Sequence, residues 1–157
     1  WKIVFTRLDY FLAFGFGSGI VPIAPGTAGS ALGLLLFIPA LYAPLPVQLS
    51  IIFIGFVLGV WVSDRVAEHM EVKDPGGIVW DEFIGMWITL LWLPSLIWLL
   101  PAFLLFRLFD IWKPWPVRVA DEKLAGGLGI MLDDVFAGLY ALAAVQILNC
   151  GLQQFIT

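Results

Sequence analysis

Apolar residues occupy long uncharged stretches of the chain instead of alternating with polar ones. Residues 10–63, 83–106 and 135–157 contain no Asp, Glu, Lys or Arg. A helix needs about 20 apolar residues to cross the hydrocarbon core of a bilayer, and uncharged runs of this length indicate transmembrane segments. The pattern therefore predicts an α-helical membrane protein.

Glycine and proline divide the amino-terminal stretch into separate elements. Residues 8–24 carry three glycines and a proline, which argues against one regular helix. We predict a short helix here, followed by a loop that is a candidate re-entrant segment. An apolar helix over 31–43 follows, with Ser30 as its N-cap.

Two further segments have the character of membrane spans. Residues 47–63 form the clearest one, and Gly55 and Gly59 have the GxxxG spacing that permits close contact between helices. Residues 135–156 supply the final span.

The run 83–106 decides the topology, because prolines interrupt it at Pro94 and Pro101. One kinked helix would place the charged windows 64–82 and 107–134 on opposite faces of the membrane. A hairpin around Pro94 would place them on the same face, and we favour the hairpin. All eight Lys and Arg residues lie in these two windows or in a third, amino-terminal window over 2–9, so the positive-inside tendency predicts that this face is cytoplasmic.

Composition supports the membrane assignment and excludes several protein classes. The 157 residues are 61% hydrophobic and 13% charged, against about 45–50% and about 25% in soluble domains. A single cysteine rules out a disulfide scaffold, and a net charge of −4 gives no support for nucleic-acid binding. We predict one domain over 1–157, an all-α integral membrane protein with a compact polytopic bundle of about four to five membrane helices, some short or re-entrant.

Two acidic pairs stand out because each is predicted at the entrance to an apolar helix: Asp81 with Glu82, and Asp133 with Asp134. A carboxylate near hydrocarbon is costly unless it is paired, hydrated or bound to a cation, so these residues are candidates for function. In each pair a glycine follows four residues after an acid, which places a surface without side chains on the same helix face. These glycines are Gly85 and Gly138.

The remaining candidates are cationic side chains and a glycine-rich loop. Arg107, Asp110 and Lys113 share one face if their segment is helical. The loop 15–30 leads directly into a helix, and backbone N–H groups at such a junction can hold phosphate oxygens.

Carboxylates without a His or Cys cluster suit Mg²⁺ rather than Zn²⁺. His69 is the sole histidine, which excludes mechanisms that need two histidines in one chain.

Four segments follow one another with compatible spacing: GSGIVPIAPGTAGS (17–30), IVWDEFIG (78–85), FRLFDIWKPWPV (106–117) and GGLGIMLDDVFAG (126–138). Together they resemble the phosphatidylglycerophosphatase A family, bacterial inner-membrane enzymes that dephosphorylate phosphatidylglycerophosphate. The resemblance runs from about residue 7 to residue 145.

The resemblance implies a Mg²⁺-dependent, histidine-independent hydrolase whose substrate is an anionic phospholipid in the bilayer. It implies that the acidic site and metal residues are Asp81, Glu82, Asp110, Asp133 and Asp134, with Asp74 as a further metal candidate. It also implies that Arg107, Lys113, Thr27 and Ser30 are the partners of the substrate phosphate, with Lys113 also among the catalytic residues.

Two questions stay open at the level of sequence. One carboxylate would either orient a water molecule or attack the phosphorus directly. The alternative function is a small transporter or ion-coupling protein, in which intramembrane carboxylates bind cations in transit. An oligomer is possible, and nothing in the sequence specifies one.

Overall fold

The computed structural model describes residues 2–73, 75–115 and 126–156, and within them the chain is helical with no strand. Short 3₁₀ turns lie at Gly15–Ile20, Ile38–Tyr42 and Leu96–Trp98. The α-helices are α1 Lys2–Thr6, α2 Leu8–Ala13, α3 Pro25–Phe37, α4 Leu45–Met70, α5 Trp80–Thr89, α6 Leu99–Trp112 and α7 Gly126–Ile156.

Within the described ranges, three segments are long and apolar enough to cross a membrane: Pro25–Tyr42, Leu45–Met70 and Gly126–Gln154. Their outward faces carry large apolar side chains, and Phe53 and Ile147 are 68% and 69% exposed. Helix α5 has 10 residues and rises about 15 Å, half of the hydrocarbon core. The predicted polytopic membrane bundle is confirmed, with α5 and α6 as its short helices.

Helix α5 lies at the centre of the bundle and packs against α3, α4, α6 and α7. Phe83, Ile84 and Met86 are fully buried. Two tryptophans fasten this helix to its neighbours, because the indole N–H of Trp80 donates to the carbonyl oxygen of Gly55 at 2.9 Å and that of Trp87 donates to Gly33 at 2.8 Å. A buried indole needs such a partner, so these bonds fix the rotation of α5.

The chain turns back between α5 and α6, as the hairpin prediction requires. Arg107, near the end of α6, contacts Glu82 in the first turn of α5, so the two helices run antiparallel. Asp64 accepts a hydrogen bond from the backbone N–H of Gly127 at 2.9 Å, which joins the same end of α4 to the start of α7. The described residues of the charged windows 64–82 and 107–134 therefore meet on one face.

The predicted starts of α3 and α7 are wrong, whereas α5 starts at its acidic pair as predicted. Helix α3 begins at Pro25, which suits the first helical position, so Ser30 lies inside the helix and is not its N-cap. Helix α5 begins at Trp80, which places Asp81 and Glu82 in its first turn. Helix α7 begins at Gly126, so Asp133 and Asp134 lie about two turns inside it and not at its entrance.

The prediction begins this helix at the acidic pair, whereas α7 also includes the glycine-rich residues before it, although glycine weakens an isolated helix. In the folded protein a Cβ on Gly127 would collide with the carbonyl oxygen of Val60 on α4. Tertiary packing therefore requires glycine within this helix.

The predicted side-chain-free surfaces face each other. A Cβ on Gly85 would lie 2.7 Å from the carbonyl oxygen of Asp134, and one on Gly138 would collide with the carbonyl oxygen of Gly85. The hydroxyl of Thr89 lies 2.9 Å from the carbonyl oxygen of Gly85 and 3.3 Å from that of Gly138. Helices α5 and α7 thus touch backbone to backbone, directly beside the acidic residues.

We expect Gly138→Ala to destabilise the protein by about 1–3 kcal/mol, because the added methyl group forces the α5–α7 contact apart. Thermal unfolding in detergent measures the effect. Gly151→Ala is the matched control on the same helix, since a Cβ there meets nothing within 4 Å, and it should be neutral or stabilising by up to about 1 kcal/mol. Equal melting temperatures for the two variants would contradict the proposed packing constraint.

Candidate active site

Three carboxylates from three different helices converge at the charged end of the bundle. Glu82 on α5, Asp110 on α6 and Asp134 on α7 each offer an oxygen atom within 4.8 Å of the others. Glu82 and Asp134 are buried, at 8% and 2% exposure. The glycine contact between α5 and α7 positions two of these helices, and the hairpin positions the third.

The guanidinium group of Arg107 balances part of this negative charge. Its Nη1 donates to both oxygens of Glu82, at 2.8 and 2.6 Å, and forms an ion pair with Asp110 one turn along α6. The side chains of Arg107 and Glu82 are 15% and 10% exposed. Charges this poorly solvated are tolerated only in pairs, so Arg107 is needed for the carboxylates to stay at this depth.

Ser30 adds helix α3 to the site. Its hydroxyl oxygen lies 2.6 Å from Oε2 of Glu82 and 2.7 Å from the carbonyl oxygen of Gly26, and Arg107 Nη1 lies 3.4 Å away. A Cβ on Gly26 would collide with Oε1 of Glu82. The first turn of α3 therefore approaches the carboxylate closely because residue 26 has no side chain.

The donor set fits a magnesium ion. Asp134 Oδ2 is buried and has no hydrogen-bond partner among the described residues, and such an atom is costly unless a cation satisfies it. Three ionised carboxylates and one guanidinium leave two formal negative charges, and hard oxygen donors suit Mg²⁺. Glu82, Asp110 and Asp134 are the residues that would hold the ion.

The other predicted acids have different surroundings. Asp133 Oδ2 forms an ion pair with Nζ of Lys113 at 2.9 Å, and its Oδ1 accepts the backbone N–H of Asp134 at 3.0 Å. Asp81 is half-buried next to Glu82 on α5. Asp74 lies outside the described residues.

Among the predicted phosphate partners, Arg107 and Lys113 are bound to acids of the site. Thr27 is exposed on the first turn of α3. Ser30 is buried and contacts Glu82, a role that the interpretation of Ser30 as an N-cap did not anticipate.

A second polar cluster at the same end of the bundle was not predicted. Asp9 accepts hydrogen bonds from Arg7, the shorter at 2.7 Å, and lies 3.9 Å from Arg65. The hydrogen bond to Arg7 holds the pKa of Asp9 below its usual value, against the opposing effect of burial. Tyr10 Oη lies 2.7 Å from Nδ1 of His69. These contacts fasten α2 to the end of α4, which agrees with a structural role for the sole histidine.

Gly26 is the residue that sequence reasoning missed. It was part of the proposed phosphate loop, and its close approach to Glu82 depends on how α3 packs against α5. The only available signal was its place in a glycine-rich segment.

Comparison with known proteins identifies the relatives of this chain. The model of the phosphatidylglycerophosphatase A family matches residues 11–149. "Phosphatidylglycerophosphatase A" of Escherichia coli is 45% identical over 132 residues, 83% of this chain and 77% of that protein. The Haemophilus influenzae protein of the same name is 49% identical over 148 residues, 92% and 90% of the two chains.

A third relative carries a different name. A Bacteroides thetaiotaomicron protein named "Putative phosphatidylinositol-3-phosphatase" is 38% identical over 150 residues, 89% of this chain and 92% of its own. No solved structure matches the chain.

We expect Arg107→Gln to destabilise the protein by about 3–5 kcal/mol, because it leaves Glu82 as a buried and uncompensated charge. Thermal unfolding in detergent tests this. The double variant Arg107→Gln/Glu82→Gln should recover part of the loss, since it removes the orphaned charge. Arg65→Gln is the control: its side chain is 53% exposed, and the expected cost is below about 1 kcal/mol. A double variant less stable than Arg107→Gln alone would contradict the assignment.

Proposed function

The chain belongs to the phosphatidylglycerophosphatase A family, and we propose that it hydrolyses the terminal phosphomonoester of phosphatidylglycerophosphate to phosphatidylglycerol and phosphate. Family membership makes it a phosphatase. The observation that carries the proposal is the cluster of buried carboxylates with Arg107, placed where a lipid-facing bundle meets its charged end. A transporter also uses intramembrane carboxylates, but none of the relatives is named as one.

The proposed cofactor is Mg²⁺, held by Glu82, Asp110 and Asp134. A carboxylate cluster repels an anionic phosphate, so a cation between the two is needed. When bound, Mg²⁺ supplies neutralising charge and polarises the phosphoryl oxygens. The fit rests on the unsatisfied oxygen of Asp134 and the close approach of the three carboxylates.

The chain's own cations would bind the substrate phosphate. Arg107 faces the cluster and presents a planar set of donors that matches phosphate oxygens. Lys113 lies one residue beyond α6, where it contacts Asp133. We propose that both side chains bind the terminal phosphate, with Thr27 and Ser30 of α3 as further partners.

A nucleophile completes the proposed reaction. Asp81 and Asp133 flank the three-carboxylate cluster in sequence, and either could orient a water molecule by accepting its proton. Direct attack by a carboxylate, which forms an acyl phosphate that water then hydrolyses, is the other route. The configuration at an isotopically chiral terminal phosphate distinguishes the two, because one displacement at phosphorus inverts it and two displacements retain it.

Phosphate release is the experiment that tests the function. Purified protein with Mg²⁺ should release phosphate from phosphatidylglycerophosphate, and EDTA should stop the reaction. Asp134→Asn and Asp110→Asn should each lower kcat/KM by about 100-fold or more, because each removes a proposed metal ligand. Glu68→Gln is the control, since Glu68 is an exposed acid at the same end of the bundle.

Two further lipids test the head-group preference. Phosphatidylinositol 3-phosphate and phosphatidic acid serve as competing substrates in the same assay. Faster release from either lipid than from phosphatidylglycerophosphate would replace the proposed substrate. Full activity of both Asp variants would contradict the site.

We also propose that the chain resides in the bacterial inner membrane with its site on the cytoplasmic side, because the Lys and Arg residues concentrate at that end. In a Cys150→Ser background, Val72→Cys marks the charged end and Ser95→Cys the α5–α6 turn, and both positions are exposed. A membrane-impermeant maleimide should label only Ser95→Cys in intact cells and both variants after permeabilisation. The reverse labelling pattern would contradict the orientation.

A further inference from the structure

An apolar groove lies between α3 and α6, with a volume of about 330 Å³. Leu35 and Leu100 on its rim are 60% and 65% exposed, so the groove is open along its length to the surrounding lipid. Its walls are Ala31, Leu34, Leu35, Leu99, Leu100 and Phe103.

The two helices that form the walls of the groove also carry residues of the carboxylate site. Leu34 lies four residues after Ser30, and Phe103 lies four residues before Arg107, so each shares a helix face with the polar residue above it. Since α3 leaves the site and α6 returns to it, these apolar residues lie on the membrane side of Ser30 and Arg107. Leu100 is about 10 Å from Arg107 along the helix axis.

We propose that this groove binds one acyl chain of the phospholipid substrate while the phosphate occupies the site above it. The inference rests on the proposed function and adds to it the part of the protein that holds the lipid tail. Contact between apolar side chains and lipid tails brings little hydrophobic gain within a bilayer. The groove therefore prefers the tail of the bound substrate over the tails of surrounding lipids. That tail is tethered to a bound head group, which raises the local concentration of the tail at the groove.

A second groove on the bundle has a similar volume and lacks this alignment. It measures about 270 Å³ and lies between α4, α5 and α7. Its residues Ile84 and Leu132 are two positions from Glu82 and Asp134, respectively, so they point away from these two carboxylates. This second groove is not aligned with Ser30 and Arg107 and supplies a matched control.

Activity on lipids of different chain length tests the proposal. Leu100→Trp fills the α3–α6 groove far from the carboxylates, and Leu35→Trp fills it from the opposite wall. Each should lower kcat/KM by about tenfold for dioleoyl phosphatidylglycerophosphate. The dihexanoyl lipid, whose chains reach less of the groove, should change by less than about twofold. Leu49→Trp, in the second groove, should leave both substrates unaffected.

The outcomes separate the groove from the proposed function. Unchanged dioleoyl activity in both groove variants, or equal losses on both lipids, would overturn the acyl-chain site. Wild-type protein that releases no phosphate from either lipid would instead contradict the proposed function.

Photolabelling gives a readout that does not depend on hydrolysis. A photoreactive group near the end of an acyl chain of phosphatidylglycerophosphate should label α3 or α6, and Leu100→Trp should reduce that label. Phosphatidylcholine with the same photoreactive chain should label α3 and α6 no more than the second groove. Labelling of α3 and α6 that is equal for the two lipids would identify ordinary surrounding lipid and overturn the proposal.

Discussion

The ion pair between Arg107 and Glu82 is the interaction on which the site depends. A charged side chain within a membrane helix costs about 2.5–3.5 kcal/mol even on the mildest scales, so buried carboxylates must be compensated where they lie. Arg107 compensates both Glu82 and Asp110, and Ser30 on α3 contacts the carboxylate of Glu82. The ion pair and the Ser30 contact therefore join α3, α5 and α6 and determine where the end of α6 must lie.

The site also requires that the backbones of α5 and α7 approach each other closely. Carboxylates on α5 and α7 can share a cation only if the two helices lie closer than large side chains allow. Gly85 and Gly138 provide this contact, and Thr89 bonds to the carbonyl oxygens on both sides of it. The same glycines therefore position the chemistry and hold the bundle together, so a substitution there would affect both.

Much of this arrangement could be predicted from the sequence, because acids, glycines and prolines stand out within or beside the long apolar runs of a membrane protein. Acids next to apolar runs, glycines four residues after them and a proline within a long uncharged run were enough to predict the acidic candidates, the contact surfaces and the hairpin. Helix starts were mispredicted, because Gly127 and Ser30 have roles that only a neighbouring helix creates. The subset of acids that meet depends on helix rotation, which the hydrogen bonds of Trp80 and Trp87 fix across the bundle.

Arg107 has two proposed roles, which a change in the charge of the site on binding would reconcile. Its contacts with Glu82 and Asp110 all run through Nη1, and Nε has no hydrogen-bond partner among the described residues. Two formal negative charges remain on the ionised cluster, and a divalent cation would balance them. The carboxylates would then need Arg107 less, and its donors could turn to a phosphate. On this proposal Arg107 would stabilise the carboxylates before the ion binds and would bind the phosphate afterwards, so a single arginine among three acids would serve both purposes.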